Sequence, residues 1–112
     1  MSKTITKPWG KYILMQKGRG YWIKKLFIKK GARISLQSHK NRSEIWVVLS
    51  GKVEVIKGKS RIVLRKEAFL QIDKREKHRI AGLRDSWILE VAFGKVLERD
   101  IIRFEDDYGR IK

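Results

Sequence analysis

Two histidines occur in this 112-residue chain, His39 and His78, and each stands near residues that could help hold a cation. Gln37 lies two positions before His39 within a run of strand character, so both side chains leave the same face. Glu44 follows after a short loop, at the head of a second apolar run, and His78 opens another. Amide oxygen, carboxylate oxygen and imidazole nitrogen are donors that a first-row divalent ion accepts. Taken singly, each residue has a plain alternative. A strand histidine is commonly a hydrogen-bonded structural residue, and a glutamate opening a strand is commonly solvated. A metal requires that sequence-distant donors converge, and a β-barrel can bring them together at its mouth. A further carboxylate, Glu90, sits inside Trp87–Phe93, a run otherwise free of charge. Within a barrel, burial would raise its pKa toward the range useful for proton transfer. On the outside it would pair with a lysine or arginine.

Such convergence needs many strands. Tyr12–Gln16 and Tyr21–Ile28 flank the turn Lys17-Gly18-Arg19-Gly20, and Ile34–His39 follows a turn at Lys30-Gly31. Ile45–Leu49 and Lys52–Ile56 meet at Ser50-Gly51, and Arg61–Leu64, Ala68–Ile72, His78–Ala81 and Trp87–Phe93 come after. These runs are rich in Val, Ile, Leu and aromatics, and many alternate between apolar and polar positions. Eight or nine short strands at this spacing predict an all-β sandwich or barrel. The end of the chain departs from the pattern. Leu97–Ile102 reads as a turn or two of helix. Phe104–Tyr108 reads as a surface segment laid across the barrel, anchored by Phe104 and Tyr108, with Arg103 or Arg110 facing the pocket or making an ion pair. No internal repeat or linker interrupts the chain, and its length suits one domain over 1–112.

Composition bounds the partners. Hydrophobic residues make up 42% of the chain, enough for a real core. The absence of cysteine excludes disulfides and thiolate metal sites. No apolar run approaches the ~20 residues needed to span a bilayer. MSKTITKPWG lacks the apolar stretch of a secretory signal, so a soluble cytoplasmic protein is expected. Twenty-eight Lys and Arg against twelve Asp and Glu give a formal charge of +16, which attracts phosphates, nucleic acids and anionic membranes. The basic residues are spread along the whole chain, as a solubilising coat would be. A nucleic-acid-binding barrel would set that charge beside exposed aromatics such as Trp9, Trp22 or Trp87. Tryptophans in a barrel are more commonly core.

From Gly31 the chain reads Gly, five residues, Gln37, one residue, His39, four residues, Glu44, six residues, Gly51. That spacing resembles the first cupin motif, with Gln where many cupins have a first His. His78 stands where the second motif ends, although Asp73-Lys74-Arg75 replaces the usual Pro-x-Gly turn. Longer strings narrow the resemblance: Lys7-Pro8-Trp9-Gly10 with Tyr12, Gly20-Tyr21, Ser35-Leu36-Gln37-Ser38-His39, Arg42-Ser43-Glu44, Trp46-Val47-Val48, His78-Arg79, and the tail from Asp100 to Arg110. Together they resemble the type II mannose-6-phosphate isomerase domain, usually found behind a mannose-1-phosphate guanylyltransferase domain, over about Lys7 to Arg110.

The resemblance implies a cupin double-stranded β-helix, a jelly-roll-like antiparallel barrel. It implies one divalent metal, zinc or else Mn, Co, Ni or Fe, on Gln37, His39, Glu44 and His78. It further implies interconversion of mannose 6-phosphate and fructose 6-phosphate, with no guanylyltransferase activity and no membrane partner. An aldose–ketose isomerase moves a proton between C1 and C2 through an enediolate, whose charge a cation can stabilise. Glu90 is the candidate base and Arg42 a candidate catalytic partner, while Arg42, Arg103 and Arg110 are candidate ligands for the substrate phosphate. A homodimer through an outer sheet face would use the apolar row Ile45, Val47 and Leu49. The family reads His-His-His-Arg-x-Glu-His-Trp where this chain has His39-Lys40-Asn41-Arg42-Ser43-Glu44-Ile45-Trp46, so three family histidines are replaced. Strand parity assigns Ile45 to the outer face, while Asn41 borders the pocket, where its exchange bears on catalysis. The competing expectation is a cupin that binds metal and a sugar phosphate or sugar nucleotide without isomerising it.

Overall fold

The computed structural model describes residues 2–111, which form two antiparallel sheets facing each other. The strands are β1 (Lys3–Lys7), β2 (Gly10–Gly18), β3 (Tyr21–Ile28), β4 (Leu36–Ser38), β5 (Arg42–Ser50), β6 (Lys52–Lys57), β7 (Ser60–Arg65), β8 (Phe69–Ile72), β9 (His78–Gly82), β10 (Ser86–Gly94) and β11 (Ile102–Glu105). One sheet runs in the order β1-β2-β3-β10-β5-β8, the other β11-β4-β9-β6-β7. Among the described residues no helix is long and apolar enough to cross a membrane.

Strict alternation along β3, β5 and β10 decides which side chains meet inside. β5 turns Arg42, Glu44, Trp46 and Val48 inward, and β10 turns Ser86, Ile88, Glu90 and Ala92 inward. The registers align these into rows across the sheet. Leu26, Ile88 and Val48 form an apolar row; Lys24, Glu90 and Trp46 form the next; Trp22, Ala92, Glu44 and Ile72 form the third. The interior is therefore graded. Its apolar end packs Ile28, Val48 and Ile88 with Val53, Val55 and Ile80 from the opposite sheet. Each such side chain contributes roughly 1.5–3 kcal/mol on leaving water. The other end gathers Lys24, Arg42, Glu44, His78 and Glu90, all buried.

Two turns carry the positions read from the motif spacing. Gly51 has φ of +91°, and a Cβ there would lie 2.3 Å from Ser86 Oγ and 2.5 Å from the Asp85 carbonyl oxygen. Only glycine fits that bend between β5 and β6. In the turn before β9, Arg75 occupies the left-handed region at φ +66° and donates its backbone N–H to His39 O at 2.7 Å. Asp73-Lys74-Arg75 thus turns without proline or glycine, at a cost of about 1–2 kcal/mol for a side chain in that conformation.

The end of the chain corrects two expectations. Leu97–Ile102 forms no helix: one turn closes from Asp100 N–H to Leu97 O at 3.1 Å, and β11 then pairs with β4. Asp100 supplies the reason, because its carboxylate accepts the N–H groups of Lys40 and Asn41 at 2.8 and 2.9 Å and holds the segment extended over the barrel end. Of the two expected anchors, Tyr108 packs on the core, but Phe104 is 40% exposed beneath Lys77 Nζ. Strand pairing and the bidentate Arg33–Asp107 contact, at 2.6 and 2.9 Å, hold the tail in its place. The aromatics offered for base stacking are also withdrawn: Trp9 and Trp22 are buried, and Trp87 packs on Phe27 with a ring separation of 5.0 Å. The edge strand β1, mostly polar, was not anticipated.

Candidate metal centre and cavity

Three elements of the two sheets deliver the candidate ligands. β4 carries Gln37, and the loop that follows carries His39; β5 carries Glu44; β9 begins at His78, which pairs in register with Gln37. His39, Glu44 and His78 are buried, and one donor atom from each lies within 4.8 Å of the others.

Hydrogen bonds fix both imidazoles. His39 Nδ1 lies 2.8 Å from the Asp100 carbonyl oxygen, and His78 Nδ1 lies 2.8 Å from that of Glu76. A carbonyl only accepts, so each Nδ1 carries the hydrogen and each Nε2 keeps a lone pair. Burial, then Arg42 and His78, lower the His39 pKa to about 3, and burial lowers that of His78. Both rings are therefore neutral at ordinary pH. Their Nε2 atoms face each other at 3.2 Å, with Glu44 oxygens 3.6 and 3.8 Å away. Glu44 Oε1 is buried without a hydrogen-bond partner among the described residues. Lone pairs at such spacing repel unless a cation lies among them, so this donor set fits a divalent ion of the kind imidazole and carboxylate select. Gln37 has Nε2 toward His39 at 3.2 Å and accepts the Ser35 hydroxyl on Oε1 at 2.6 Å. Rotation of the amide would present Oε1 to the ion and leave Nε2 donating to the Ser35 hydroxyl.

Arg42 adjoins this cluster. Its Nε donates to Glu44 Oε2 at 2.9 Å, one terminal nitrogen donates to Leu97 O at 2.7 Å, and the other lies 3.3 Å from His39 Nε2. With these donors committed, Arg42 sits at the metal end of the site. Glu90 also faces inward, where its carboxylate accepts the indole N–H groups of Trp22 at 2.9 Å and Trp46 at 3.3 Å. Burial, followed by the charge of Glu44, raises its pKa.

A cavity of about 160 Å³ opens beside these residues, its lining including Gln37, Arg42 and Glu90 together with Lys7, Arg103 and Arg110. Arg103 is the register partner of Gln37, which is itself the partner of His78, so one row runs His78, Gln37, Arg103 across three strands. At ~4.8 Å per strand, that places the arginine about 10 Å from the histidine. Arg103 Nε is buried with no partner among the described residues. Burial and then the Arg110 charge lower the Arg103 pKa, and Lys7 is lowered by burial with both arginines contributing. Arg110 is paired with Asp106, its Nε and a terminal nitrogen each 2.9 Å from a carboxylate oxygen. Lys7, Arg103 and Arg110 thus gather on one cavity, with Asp106 pairing Arg110 and the charge of Glu98 acting on Lys7.

Sequence reading missed Lys7, Lys24, Glu98 and Asp100. Lys24 could not be found by parity, because β3 is apolar on both faces and the Lys24-Lys25 pair does not reveal which residue points in.

A family model described as mannose-6-phosphate isomerase C-terminal matches residues 1–106. The xanthan biosynthesis protein XanB of Xanthomonas campestris pv. campestris is 37% identical over 96% of this chain and 24% of its own length. The mannose-1-phosphate guanylyltransferase ManC of Salmonella typhimurium is 33% identical over 99% of this chain and 24% of its own length. The chain therefore spans about a quarter of the curated relatives it matches. Among solved structures, an RmlC-like cupin from Shewanella frigidimarina superposes with a TM-score of 0.77 at 18% identity, covering 88% of this chain and 87% of that one. The two-sheet fold described above is thus the cupin fold.

Proposed function

The chain belongs to the mannose-6-phosphate isomerase C-terminal family, and from that premise we propose that it is a metal-dependent aldose–ketose isomerase interconverting mannose 6-phosphate and fructose 6-phosphate. The observation that carries the reading is a cation-seeking cluster of His39, Glu44 and His78 beside a cavity that Gln37 and Arg42 line together with the cations Lys7, Arg103 and Arg110, Arg103 lying about two strand spacings from His78. An extended hexose phosphate has that form, with the carbonyl at one end and the phosphate at the other.

Gln37, His39, Glu44 and His78 would hold the ion, for which zinc suits the donor set. A divalent cation bound there supplies Lewis-acid stabilisation of the charge that develops on O1 and O2. Glu90 takes the proton from C2 of the aldose and returns it to C1; burial, followed by the charge of Glu44, raises its pKa and so makes it a stronger base than an exposed carboxylate. Arg42 holds Glu44 in orientation and adds positive potential near the reacting oxygens. Lys7, Arg103 and Arg110 receive the phosphate, and the unpartnered Arg103 Nε gains an acceptor. Arg42 was also a candidate for this last role, but its donors are engaged at the other end.

Conversion of mannose 6-phosphate to fructose 6-phosphate, followed with and without chelator, tests the reaction; metal bound without turnover would leave only the binding reading. The R103A/R110A double variant is expected to raise KM for the phosphosugar about tenfold to a hundredfold at unchanged metal content, as loss of charged hydrogen bonds worth ~1.5–3 kcal/mol requires. An unchanged KM would remove the phosphate assignment.

The outer face of the six-stranded sheet favours a second copy as partner. Ile45, Val47 and Leu49 lie there half-buried, and Phe69, opposite Val47, is 72% exposed. Sedimentation at micromolar concentration is expected to give a dimer, and V47E a monomer. A monomeric unsubstituted chain would end this reading.

A further inference from the structure

One constellation in the cavity, built around the buried Lys24, has no part in the proton transfer between C1 and C2. Lys24 is 4% exposed, its Nζ 3.8 Å from the ring centre of Trp22 and 4.1 Å from that of Tyr12. The same nitrogen donates to Glu98 Oε2 at 2.6 Å, and the Tyr12 hydroxyl donates to that oxygen at 3.2 Å. Lys24 and Glu98 both line the cavity with Glu90 and Gln37. Lys24 is also the register partner of Glu90, one strand spacing away. An ammonium placed between two aromatic faces and a carboxylate is held in one position. The Tyr12 phenol, raised to about 12 by burial and by Glu98, stays protonated and helps orient the acid.

An aldohexose phosphate exists in solution almost wholly as a closed ring, whereas isomerisation acts on the open aldehyde. Opening the ring requires a base for the O1 hydroxyl and an acid for the ring oxygen. We propose that Glu98 and Lys24 are that base and acid, an inference that rests on the cavity being a sugar-phosphate site. Glu98 takes the O1 proton, and the electron pair left on O1 forms the C1=O bond. The C1–O5 bond breaks with its pair going to O5, which takes a proton from the Lys24 ammonium. The proton on Glu98 then returns to Lys24 across their direct contact, and the pair is reset with no outside reactant. The two groups suit this because they already share a hydrogen bond, so one transfer to the sugar and one from it leave the pair's net charge unchanged.

Ring opening has its own readout, faster exchange between the α and β anomers of mannose 6-phosphate, measured by exchange NMR on the metal-loaded full chain. The unsubstituted protein is expected to accelerate that exchange, and so is E90Q, in which isomerisation is blocked. K24M and E98Q are expected to lose the acceleration by about a hundredfold or more, the range of a positioned acid or base. Glu98 is half-exposed on a loop, so E98Q remains informative even where K24M fails to fold. No acceleration by the unsubstituted protein, or full acceleration by folded E98Q, would overturn the proposal. Anomer exchange without any isomerisation would overturn the isomerase reading instead and leave this pair standing.

Discussion

Replacing His78 with Ala is expected to empty the metal site and to lower turnover about a thousandfold. In the folded chain His78 Nε2 faces His39 Nε2 at 3.2 Å, with its own Nδ1 tied to the Glu76 carbonyl, so the ring has one free donor aimed into the cluster. Removing it leaves a divalent ion without one of its imidazoles and the reaction without several kcal/mol of charge stabilisation. Elemental analysis of protein purified without added metal should give one ion per unsubstituted chain and close to none in H78A. If both proteins carry the same metal content, the histidines are structural and the metal reading fails. The chelated protein offers a second check. The His39 pKa lies near 3, far below its ordinary value of 6.5, so the unfolded chain takes up protons that the folded one refuses. The stability of the metal-free protein should therefore fall as pH drops from about 6.5 toward 3, visible as a declining denaturant midpoint.

E90Q is expected to lower kcat by about 10²–10⁴-fold while leaving metal content and KM for mannose 6-phosphate near those of the unsubstituted protein. A glutamine keeps the size of the side chain and one oxygen for an indole N–H, but it cannot carry a proton from C2 to C1. It also sets an amide nitrogen against Trp22 or Trp46, whose N–H groups now bond the carboxylate. A modest loss of stability should accompany the variant, so the melting temperature and kcat have to be read separately. Uptake of solvent deuterium at C2 gives the cleaner signal, present in the unsubstituted protein and lost in E90Q. Retention of kcat in a folded E90Q protein would mean that the carboxylate only supports the two tryptophans and that the base lies elsewhere.

What motif spacing and strand parity can show has a local cause. In an extended strand, residues two apart share a face whatever the rest of the chain does. Once Trp46 and Val48 are recognised as core, Glu44 must point inward and Ile45 outward, and the same logic joins Gln37 to His39. The turn at Gly51 is local in its left-handed backbone, at φ +91°, which favours glycine. Parity was enough for the strand pattern and for the facing of Gln37, His39 and Glu44, whereas His78 entered the candidate set through the resemblance and its approach to the others depends on how the sheets close.

Other features depend on which strands become neighbours. β3 is apolar on both faces, so only its pairing with β10, opposite Glu90, determined that Lys24 and not Lys25 enters the interior. Leu97–Ile102 has helix-forming composition, yet the carboxylate of Asp100 finds the free N–H groups of Lys40 and Asn41, and that long-range contact outweighs the local preference. Arg103 was a candidate phosphate ligand by resemblance alone, and the pairing of β11 with β4 set it beside Gln37. Lys7, from the other end of the chain, reaches the same cavity. Side-chain direction repeats over two residues and can be read along the chain, whereas a charge gains its role from what faces it across a sheet. That partner comes from a strand dozens of residues away, chosen by how the two sheets close over their common core.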